Sequence, residues 1–197
     1  GNQQHCGNGN FADLAIFSFH PVKHIACGEG GMITTNNKDF YDKLISLRTH
    51  GITQKIENLK ENHGIWYYEM QDLGYNYRLT DIQAVLGTSQ LSRAEEGLKR
   101  RREIAKKYDR IFKNSPVKII IPPEDIGHAY HLYVIQIKNR KGLQNYMRAN
   151  NIYSQVHYIP THLMPYYQNL GSKKGDCPAA EAYYEKCLSL PMYPTLT

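Results

Sequence analysis

Short apolar runs bounded by polar turns predict two β-strands near the start of the chain. Residues 13–19 form the first run, which is short and apolar enough to favour a buried strand, and residues 31–35 form the second. Residues 38–48 then place apolar side chains at helical spacing, and Gly51 lies where a helix would stop. These patterns predict a mixture of strand and helix in the first fifty or so residues.

The middle of the chain predicts a long loop followed by a long helix. Residues 53–70 are polar and irregular, and loops of this length in compact domains are usually functional or flexible. Thr80 and Gln83 have the spacing of a capping box, and helical periodicity continues from there to about residue 114. Gly97 lies inside this segment. We therefore expect a bend there, in a helix that connects two domains whose boundary falls between residues 105 and 106.

Beyond the predicted helix the pattern alternates between short strands and short helices. Residues 117–121 and 131–138 have strand-like patterns, and residues 153–158 are predicted to be extended. Residues 141–150 and 178–187 have helical spacing. The second part of the chain is therefore predicted to be a small α+β domain.

Composition and charge are those of an ordinary globular protein with one basic segment. Hydrophobic residues make up 41% and charged residues 21%, which argues against disorder, and no apolar run is long enough to cross a bilayer. Much of the formal net charge of +6 comes from residues 99–102 with Lys106 and Lys107. This run predicts a solvated helix face; nucleic-acid binding and attraction of anionic nucleotides are alternatives, although no nucleic-acid motif accompanies it. Four widely spaced cysteines without a CxxC pair favour reduced thiols in the cytoplasm.

The segment with the clearest chemistry follows the first predicted strand, where Lys23 precedes a glycine-rich stretch. A lysine that attacks a carbonyl must lose its proton, so it needs burial or positively charged neighbours, which His20 and His24 supply when protonated. Ser18 offers a hydroxyl group to an anion at the same strand end. Spacing alone leaves open a surface lysine in a turn. A metal site at His20 and His24 is disfavoured because Pro21 excludes a regular helix, and Walker spacing is absent.

Four sequence blocks in order resemble those of one enzyme family. They read FSFHPVKH followed by GEGG, then GYNYRLTDIQA, then VHYIP, and finally SLPMYP. Together they span nearly the whole chain, and they resemble the sugar aminotransferases of the DegT/DnrJ/EryC1/StrS family. Within that family, HPVKHI and QVHYIP resemble the members that aminate a UDP-linked 4-keto-6-deoxy-hexosamine on the route to pseudaminic acid.

The resemblance implies an α/β fold of two parts. Residues 1–105 would be the second half of the large domain of a PLP-dependent transferase of fold type I, like aspartate aminotransferase, and residues 106–197 the small α+β domain. The resemblance implies pyridoxal 5'-phosphate as cofactor, L-glutamate as amino donor and a UDP- or dTDP-linked keto-sugar as acceptor. It further implies a cytoplasmic homodimer with shared active sites, and no metal, nucleic acid or membrane as partner.

The resemblance also implies roles for individual residues. Lys23 matches the catalytic lysine that forms the Schiff base with the cofactor and moves a proton between the substrate carbon and the cofactor. Ser18 matches a hydroxyl group that contacts the cofactor phosphate, and Asn76 an asparagine that reaches this phosphate from the neighbouring subunit. For Tyr158 and His162, packing within the small domain is the alternative. The residues expected to line the substrate pocket are His20, Arg78, Tyr158 and His162.

Finally, the resemblance implies that the chain is one half of a longer enzyme. Full members carry an N-terminal half with the aromatic residue that stacks on the cofactor ring and the aspartate that pairs with its nitrogen, and a final helix beyond the position of Thr197. We therefore expect this half alone to be inactive and to need the other half for folding, because part of a sheet exposes strand edges. The competing hypotheses are a non-catalytic, regulatory homologue that binds sugar nucleotides and a nucleic-acid-binding module.

Overall fold

The computed structural model of the chain describes residues 4–123 and 126–197, which divide into two compact units. The N-terminal unit contains residues 4–93 and the C-terminal unit the described residues from 94 to 197. The division follows Arg93, earlier along the chain than the boundary expected from the sequence.

The N-terminal unit consists of two antiparallel ribbons and two helices. Strand β1 (Ala15–Ser18) pairs with β2 (Gly31–Thr34), and β3 (Ile52–Thr53) pairs with β4 (Glu69–Met70). Both strands and the first helix predicted from the sequence are confirmed. The helical elements are α1 (Lys38–Arg48), a 3-10 turn (Ile56–Asn58) and α2 (Asp81–Leu91).

Local sequence determines where α1 begins and how the chain leaves it. The Asn37 side-chain oxygen accepts hydrogen bonds from the backbone N–H groups of Asp39 and Phe40 at 2.8 and 3.1 Å, as an N-cap residue does. After the helix, Gly51 has a φ of +65°, and a Cβ atom there would lie 2.0 Å from the Asp72 carbonyl oxygen. Only glycine fits this position, which lets β3 begin directly after the helix.

The N-terminal unit buries few of its side chains. Among its described residues, Cys27 is the one fully buried side chain, at 2% exposure, whereas Ile16 in β1 is 80% exposed. The prediction of a buried first strand was therefore wrong, because in the described structure β1 has a single neighbouring strand. The large apolar side chains of β1, β2 and α2 that are exposed are Ile16, Met32, Ile33, Ile82, Val85, Leu86 and Leu91.

The single long helix predicted for residues 80–114 is two helices. Helix α2 stops before Ser92, and α3 (Ala94–Phe112) follows. The Ser92 hydroxyl group donates to the Ser89 carbonyl oxygen at 2.8 Å, a local contact that satisfies the helix end. Helix α3 is continuous through Gly97, and a break at Ser92 separates it from α2.

The C-terminal unit is an α+β unit. Its elements after α3 are β5 (Lys118–Ile119), β6 (Tyr133–Gln136), α4 (Arg140–Ala149), a 3-10 turn (Thr161–Leu163), α5 (Pro165–Asn169), α6 (Pro178–Lys186) and β7 (Cys187–Leu190). The three strands form an antiparallel sheet with the order β5–β6–β7. The sequence did not predict β7, because this strand follows α6 without a turn and its four residues are all buried, so it lacks the alternation of buried and exposed residues that reveals a strand.

A hydrophobic core lies between α3 and the sheet of the C-terminal unit. Ile104 of α3 belongs to one buried cluster with Tyr133 and Ile135 of β6 and Leu188 of β7. Ile135 is paired directly with Leu188 across the two strands, so the same face of both strands enters the core. Fully burying an aliphatic side chain of this size contributes about 1.5–3 kcal/mol.

The basic run of α3 donates hydrogen bonds to the backbone of the same unit. Arg101 is 6% exposed, and its guanidinium group donates to the carbonyl oxygens of Met192 and Tyr130 at 2.8 and 3.1 Å. Arg100 donates to the Leu196 carbonyl oxygen at 2.8 Å. The prediction of a solvated helix face was therefore wrong for Arg101. Both arginines hold the segment after β7 against α3.

We predict that Arg101→Met lowers the free energy of unfolding of the C-terminal unit by about 2–3 kcal/mol, because it leaves buried carbonyl groups without a donor. Urea denaturation of the complete polypeptide that carries this sequence, in its native and variant forms, measures this difference. Lys99→Met is the matched control, since Lys99 is exposed on the same helix, and its effect should stay within about 0.5 kcal/mol. Equal effects of the two substitutions would contradict the structural role of Arg101.

Candidate functional site

Lys23 lies in the loop that joins β1 to β2, at the last position of a four-residue turn. Its backbone N–H donates to the His20 carbonyl oxygen at 2.9 Å, and Pro21 occupies the second position, where its fixed φ favours a turn. At the base of the loop, the Cys27 N–H donates to the Phe19 carbonyl oxygen at 3.0 Å. Main-chain hydrogen bonds therefore fix the Lys23 backbone just beyond the end of β1.

The end of this loop that leads into β2 contacts the start of α2. Gly30 has a φ of +148°, and a Cβ atom there would lie 2.8 Å from the Leu79 Cδ1 atom. The Gln83 side-chain Nε2 donates to the Glu29 carbonyl oxygen at 3.0 Å. Two sequence blocks that lie far apart along the chain, GEGG and LTDIQ, are thus in direct contact.

The loop presents an amine and a hydroxyl group near one strand end. Lys23 is half-buried, and within the described residues its amine forms no ion pair with a carboxylate. Ser18 is exposed at the end of β1, and its hydroxyl oxygen lies 3.5 Å from the His20 backbone nitrogen. His20 is also exposed, with its Nε2 atom 4.0 Å from a Glu29 carboxylate oxygen. An amine and an accessible hydroxyl group suit the aldehyde and the phosphate of pyridoxal phosphate, respectively.

Asn76 and Arg78 lie in a segment that pairs with the end of α1. Asn76 forms an isolated antiparallel bridge with Thr49, and the rings of Tyr75 and Tyr77 stack at 4.8 Å. Both Asn76 and Arg78 are exposed. No hydrogen bond joins either side chain to the lysine loop in the part of the chain that the structure describes.

Tyr158 and His162 lie in the C-terminal unit and differ in their surroundings. Tyr158 is 72% exposed, with its ring edge-on to His157. The His162 side chain is 12% exposed, and its Nε2 atom lies 2.9 Å from an oxygen of the Glu181 carboxylate, which is equally buried. His162 therefore packs within the C-terminal unit, whereas the Tyr158 side chain is exposed at the surface.

Glu181 is the residue of this region that sequence reasoning missed. Its Oε1 atom contacts His162 and also accepts the Gly175 backbone N–H at 2.7 Å. The hydrogen bond with His162, followed by that from Gly175, lowers the pKa of the Glu181 carboxyl group below its ordinary value. A glutamate in the first turn of a helix is common, so a single sequence carries no signal for this pair.

Residues 4–123 and 126–197 contain neither a cluster of metal-binding side chains nor a helix suited to cross a membrane. The histidine, cysteine, aspartate and glutamate side chains there form no group of three or more that is placed to hold a metal ion. No helix within these ranges combines the length and the apolar character that crossing a bilayer requires.

Residues 2–197 match the model of the DegT/DnrJ/EryC1/StrS aminotransferase family, and the chain belongs to this family. It is 40% identical to the spore coat polysaccharide biosynthesis protein SpsC of Bacillus subtilis, over 96% of this chain and 51% of that protein. It is 37% identical to a UDP-4-amino-4,6-dideoxy-N-acetyl-beta-L-altrosamine transaminase of Campylobacter jejuni, over 94% of this chain and 48% of that protein. The chain thus spans about half the length of the curated relatives it matches.

Solved structures of sugar aminotransferases share the fold. Helicobacter pylori PseC, an aminotransferase of pseudaminic acid biosynthesis, superposes with a TM-score of 0.84 at 33% identity, over 96% of this chain and 50% of PseC. A sugar aminotransferase of Streptococcus pneumoniae in its PLP form gives 0.85 at 30% identity, over 96% of this chain and 49% of that protein. The expected α/β fold of a PLP-dependent transferase is confirmed, and pyridoxal phosphate is the cofactor of the family.

We predict that the advantage in stability of the native chain over Glu181→Gln falls as the solution becomes acidic. A carboxyl group whose pKa is lower in the folded than in the unfolded chain stabilises the fold above its unfolded value of 4.5. This stabilisation is lost as the pH falls through the lowered pKa. The difference in unfolding free energy between the native protein and Glu181→Gln should therefore be larger at about pH 6 than at about pH 3. Urea denaturation of the complete polypeptide that carries this sequence, at both pH values, measures this difference in stability.

Glu185→Gln is the matched control, because Glu185 is exposed on the same helix. Its effect on stability should change little over this pH range. A difference between the native chain and Glu181→Gln that is independent of pH would show that the pair with His162 does not set the protonation of Glu181.

Proposed function

We propose that this chain forms part of a pyridoxal-phosphate-dependent aminotransferase that moves an amino group from L-glutamate to a nucleotide-linked 4-keto-6-deoxy sugar. The observation that carries the proposal is Lys23, fixed by backbone hydrogen bonds beyond the end of β1 in a chain of this family. The chain's free cysteines support a reducing, cytoplasmic setting for the enzyme.

Lys23 is the proposed attachment point of the cofactor. Its Nζ atom would hold the cofactor covalently through the cofactor's aldehyde group, and the same amine would be free to move a proton once the amino donor is bound. When bound, the cofactor supplies the electron sink that stabilises the substrate carbon after a proton leaves it. The released Lys23 amine then accepts this proton at Nζ and returns it, which requires its backbone to stay in place while the side chain moves.

Ser18 and Asn76 are the proposed ligands of the cofactor phosphate. The exposed Ser18 hydroxyl group, at the end of the strand that leads to Lys23, donates to a phosphate oxygen. Asn76 is exposed beyond the end of α1, which supports a role in the site of a second copy of the chain, as in the family members it resembles. The proposed enzyme is therefore a homodimer in which each site uses residues from both subunits.

The residues proposed to bind the substrate are His20 and Arg78 in the N-terminal unit and Tyr158 and His162 in the C-terminal unit. The exposed side chains of His20, Arg78 and Tyr158 are available to a sugar or to its diphosphate, for which arginine is the best-suited partner. His162, with Nε2 engaged by Glu181, has only Nδ1 left for a substrate. Relatives that act on UDP-linked altrosamine support a UDP-linked 4-keto sugar as the acceptor, with a dTDP-linked sugar as the alternative.

We predict that Lys23→Ala, in the complete polypeptide that carries this sequence, abolishes covalent attachment of the cofactor. Borohydride reduction followed by peptide mass analysis should label Lys23 in the native protein and nothing in the variant. Turnover of UDP- or dTDP-keto-sugars with glutamate should fall about a thousandfold or more, because proton transfer alone contributes about 10²–10⁴-fold.

Lys55→Ala is the matched control, since Lys55 is an exposed lysine of the same unit, and it should retain both properties. Near-normal turnover of Lys23→Ala would refute the assignment. Attachment of the cofactor at Lys23 without turnover of any sugar nucleotide would instead favour a non-catalytic homologue that binds sugar nucleotides.

We predict that mixing Lys23→Ala and Asn76→Ala subunits restores activity that neither variant has alone. If each site takes Lys23 from one subunit and Asn76 from the other, the mixed dimer contains one site with both native residues. If Asn76 serves the site of its own subunit, every site of the mixed dimer carries a defect. Co-expression with two different affinity tags isolates the mixed dimer, and an inactive mixed dimer would exclude shared sites.

A further inference from the structure

We propose that Gln83 is a positioning residue that holds the loop carrying Lys23 against α2. This inference rests on the proposed function of Lys23. Gln83 is not expected to touch the cofactor or the substrate; it acts through the backbone of the loop. The sequence suggested only that Gln83 completes a helix cap, and the structure gives its side chain a second contact.

The two ends of the Gln83 amide group have different partners. Its Oε1 atom accepts hydrogen bonds from the Thr80 backbone N–H at 3.2 Å and from the Thr80 hydroxyl group at 2.9 Å. Its Nε2 atom donates to the Glu29 carbonyl oxygen at 3.0 Å. A capping box accepts glutamate or glutamine at this position, so the cap alone does not require an amide. The donor to Glu29 does require one, because a carboxylate has no N–H to offer.

The contact to Glu29 fixes the end of the loop that leads into β2. The next residue, Gly30, accepts the Phe19 backbone N–H at 2.9 Å, and Phe19 in turn accepts the Cys27 N–H. A Cβ atom built on Gly30 would lie 2.8 Å from Leu79, directly before the cap of α2, so the loop and the helix start are in close contact. Lys23 lies between two anchored ends, and a shift of about 1 Å at a reacting group can reduce the rate about a hundredfold.

Three substitutions separate positioning of the loop from capping of the helix. Gln83→Glu keeps the acceptor for Thr80 and removes the donor to Glu29. Gln83→Lys keeps a donor of sufficient reach for the Glu29 carbonyl oxygen and removes the acceptor. Thr80→Val removes the hydroxyl group of the cap and leaves the Gln83 amide in place. Melting temperatures and far-UV circular dichroism check that each variant is folded.

The first measurement uses the complete polypeptide without its cofactor. Hydrogen–deuterium exchange is followed in peptides that cover residues 19–30 and in peptides from α2. Gln83→Glu should speed exchange at residues 19–30 about tenfold, as expected for the loss of one hydrogen bond, and leave α2 unchanged. Thr80→Val and Gln83→Lys should do the opposite, with faster exchange at the start of α2 and a protected loop.

The second measurement is the affinity for pyridoxal phosphate, read from borohydride trapping at Lys23 over a series of cofactor concentrations. Gln83→Glu should weaken apparent binding about tenfold, while Thr80→Val stays within about twofold of the native protein. Restored loop protection and binding in Gln83→Lys, relative to Gln83→Glu, would identify the donated hydrogen bond as the cause.

Unchanged exchange at residues 19–30 in Gln83→Glu would overturn the inference, and so would equal effects of Gln83→Glu and Thr80→Val on the loop. These results leave the proposed function intact, because it depends on trapping at Lys23 in the native protein. Conversely, a native protein that cannot be trapped at Lys23 removes the proposed function. The exchange pattern would then still decide whether Gln83 holds the loop.

Discussion

The position of the Lys23 amine depends on how the backbone reverses direction between β1 and β2. The reversal is held by hydrogen bonds among main-chain atoms, from Lys23 to His20 and from Cys27 to Phe19. The buried Cys27 side chain lies at the base of this loop, and α2 supports its far end through Gln83. The backbone of Lys23 is therefore held in a defined position. The place where the amine of its flexible side chain can react depends on that backbone position.

The two units are stabilised in different ways. The C-terminal unit has a buried cluster around Ile104, Ile135 and Leu188, and Arg101 ties its last segment to α3. The N-terminal unit relies on hairpins, helix caps and close glycine contacts, while apolar side chains such as Ile16 and Ile82 are exposed. So many large apolar side chains left exposed in one unit favour the packing of other polypeptide against it. The contrast agrees with a chain that spans about half the length of its curated relatives.

Features that depend on residues close together along the chain could be predicted from the sequence. The helix Lys38–Arg48 and the capping box of α2 follow from periodicity and from cap residues within one turn of each other, and both are present. The family could be identified because its blocks are short and ordered, and the comparisons confirm it. The roles of individual residues outside these motifs could not be predicted, because one sequence shows neither a substrate nor a second subunit.

Features that arise from contacts between distant residues could not be predicted. Nothing near Gln83 signals that its amide meets Glu29, and nothing near Glu181 signals His162. The arginines of α3 looked like a solvated charge run because sequence shows charge but not burial; Arg101 instead satisfies carbonyl oxygens contributed from far along the chain. Strand β7 escaped notice because a strand covered on both faces loses the alternation by which strands are found.

The use of main-chain atoms to hold the Lys23 loop has an evolutionary consequence. Substitutions at exposed positions such as Val22 leave these hydrogen bonds intact, because the bonds do not involve side chains. Under the proposed function, descendants of this chain can therefore exchange the side chains that surround the amine, and with them the substrates that bind, without relocating the amine itself. Substitutions in this one short loop can then change the choice of substrate without changing the reactivity of the amine.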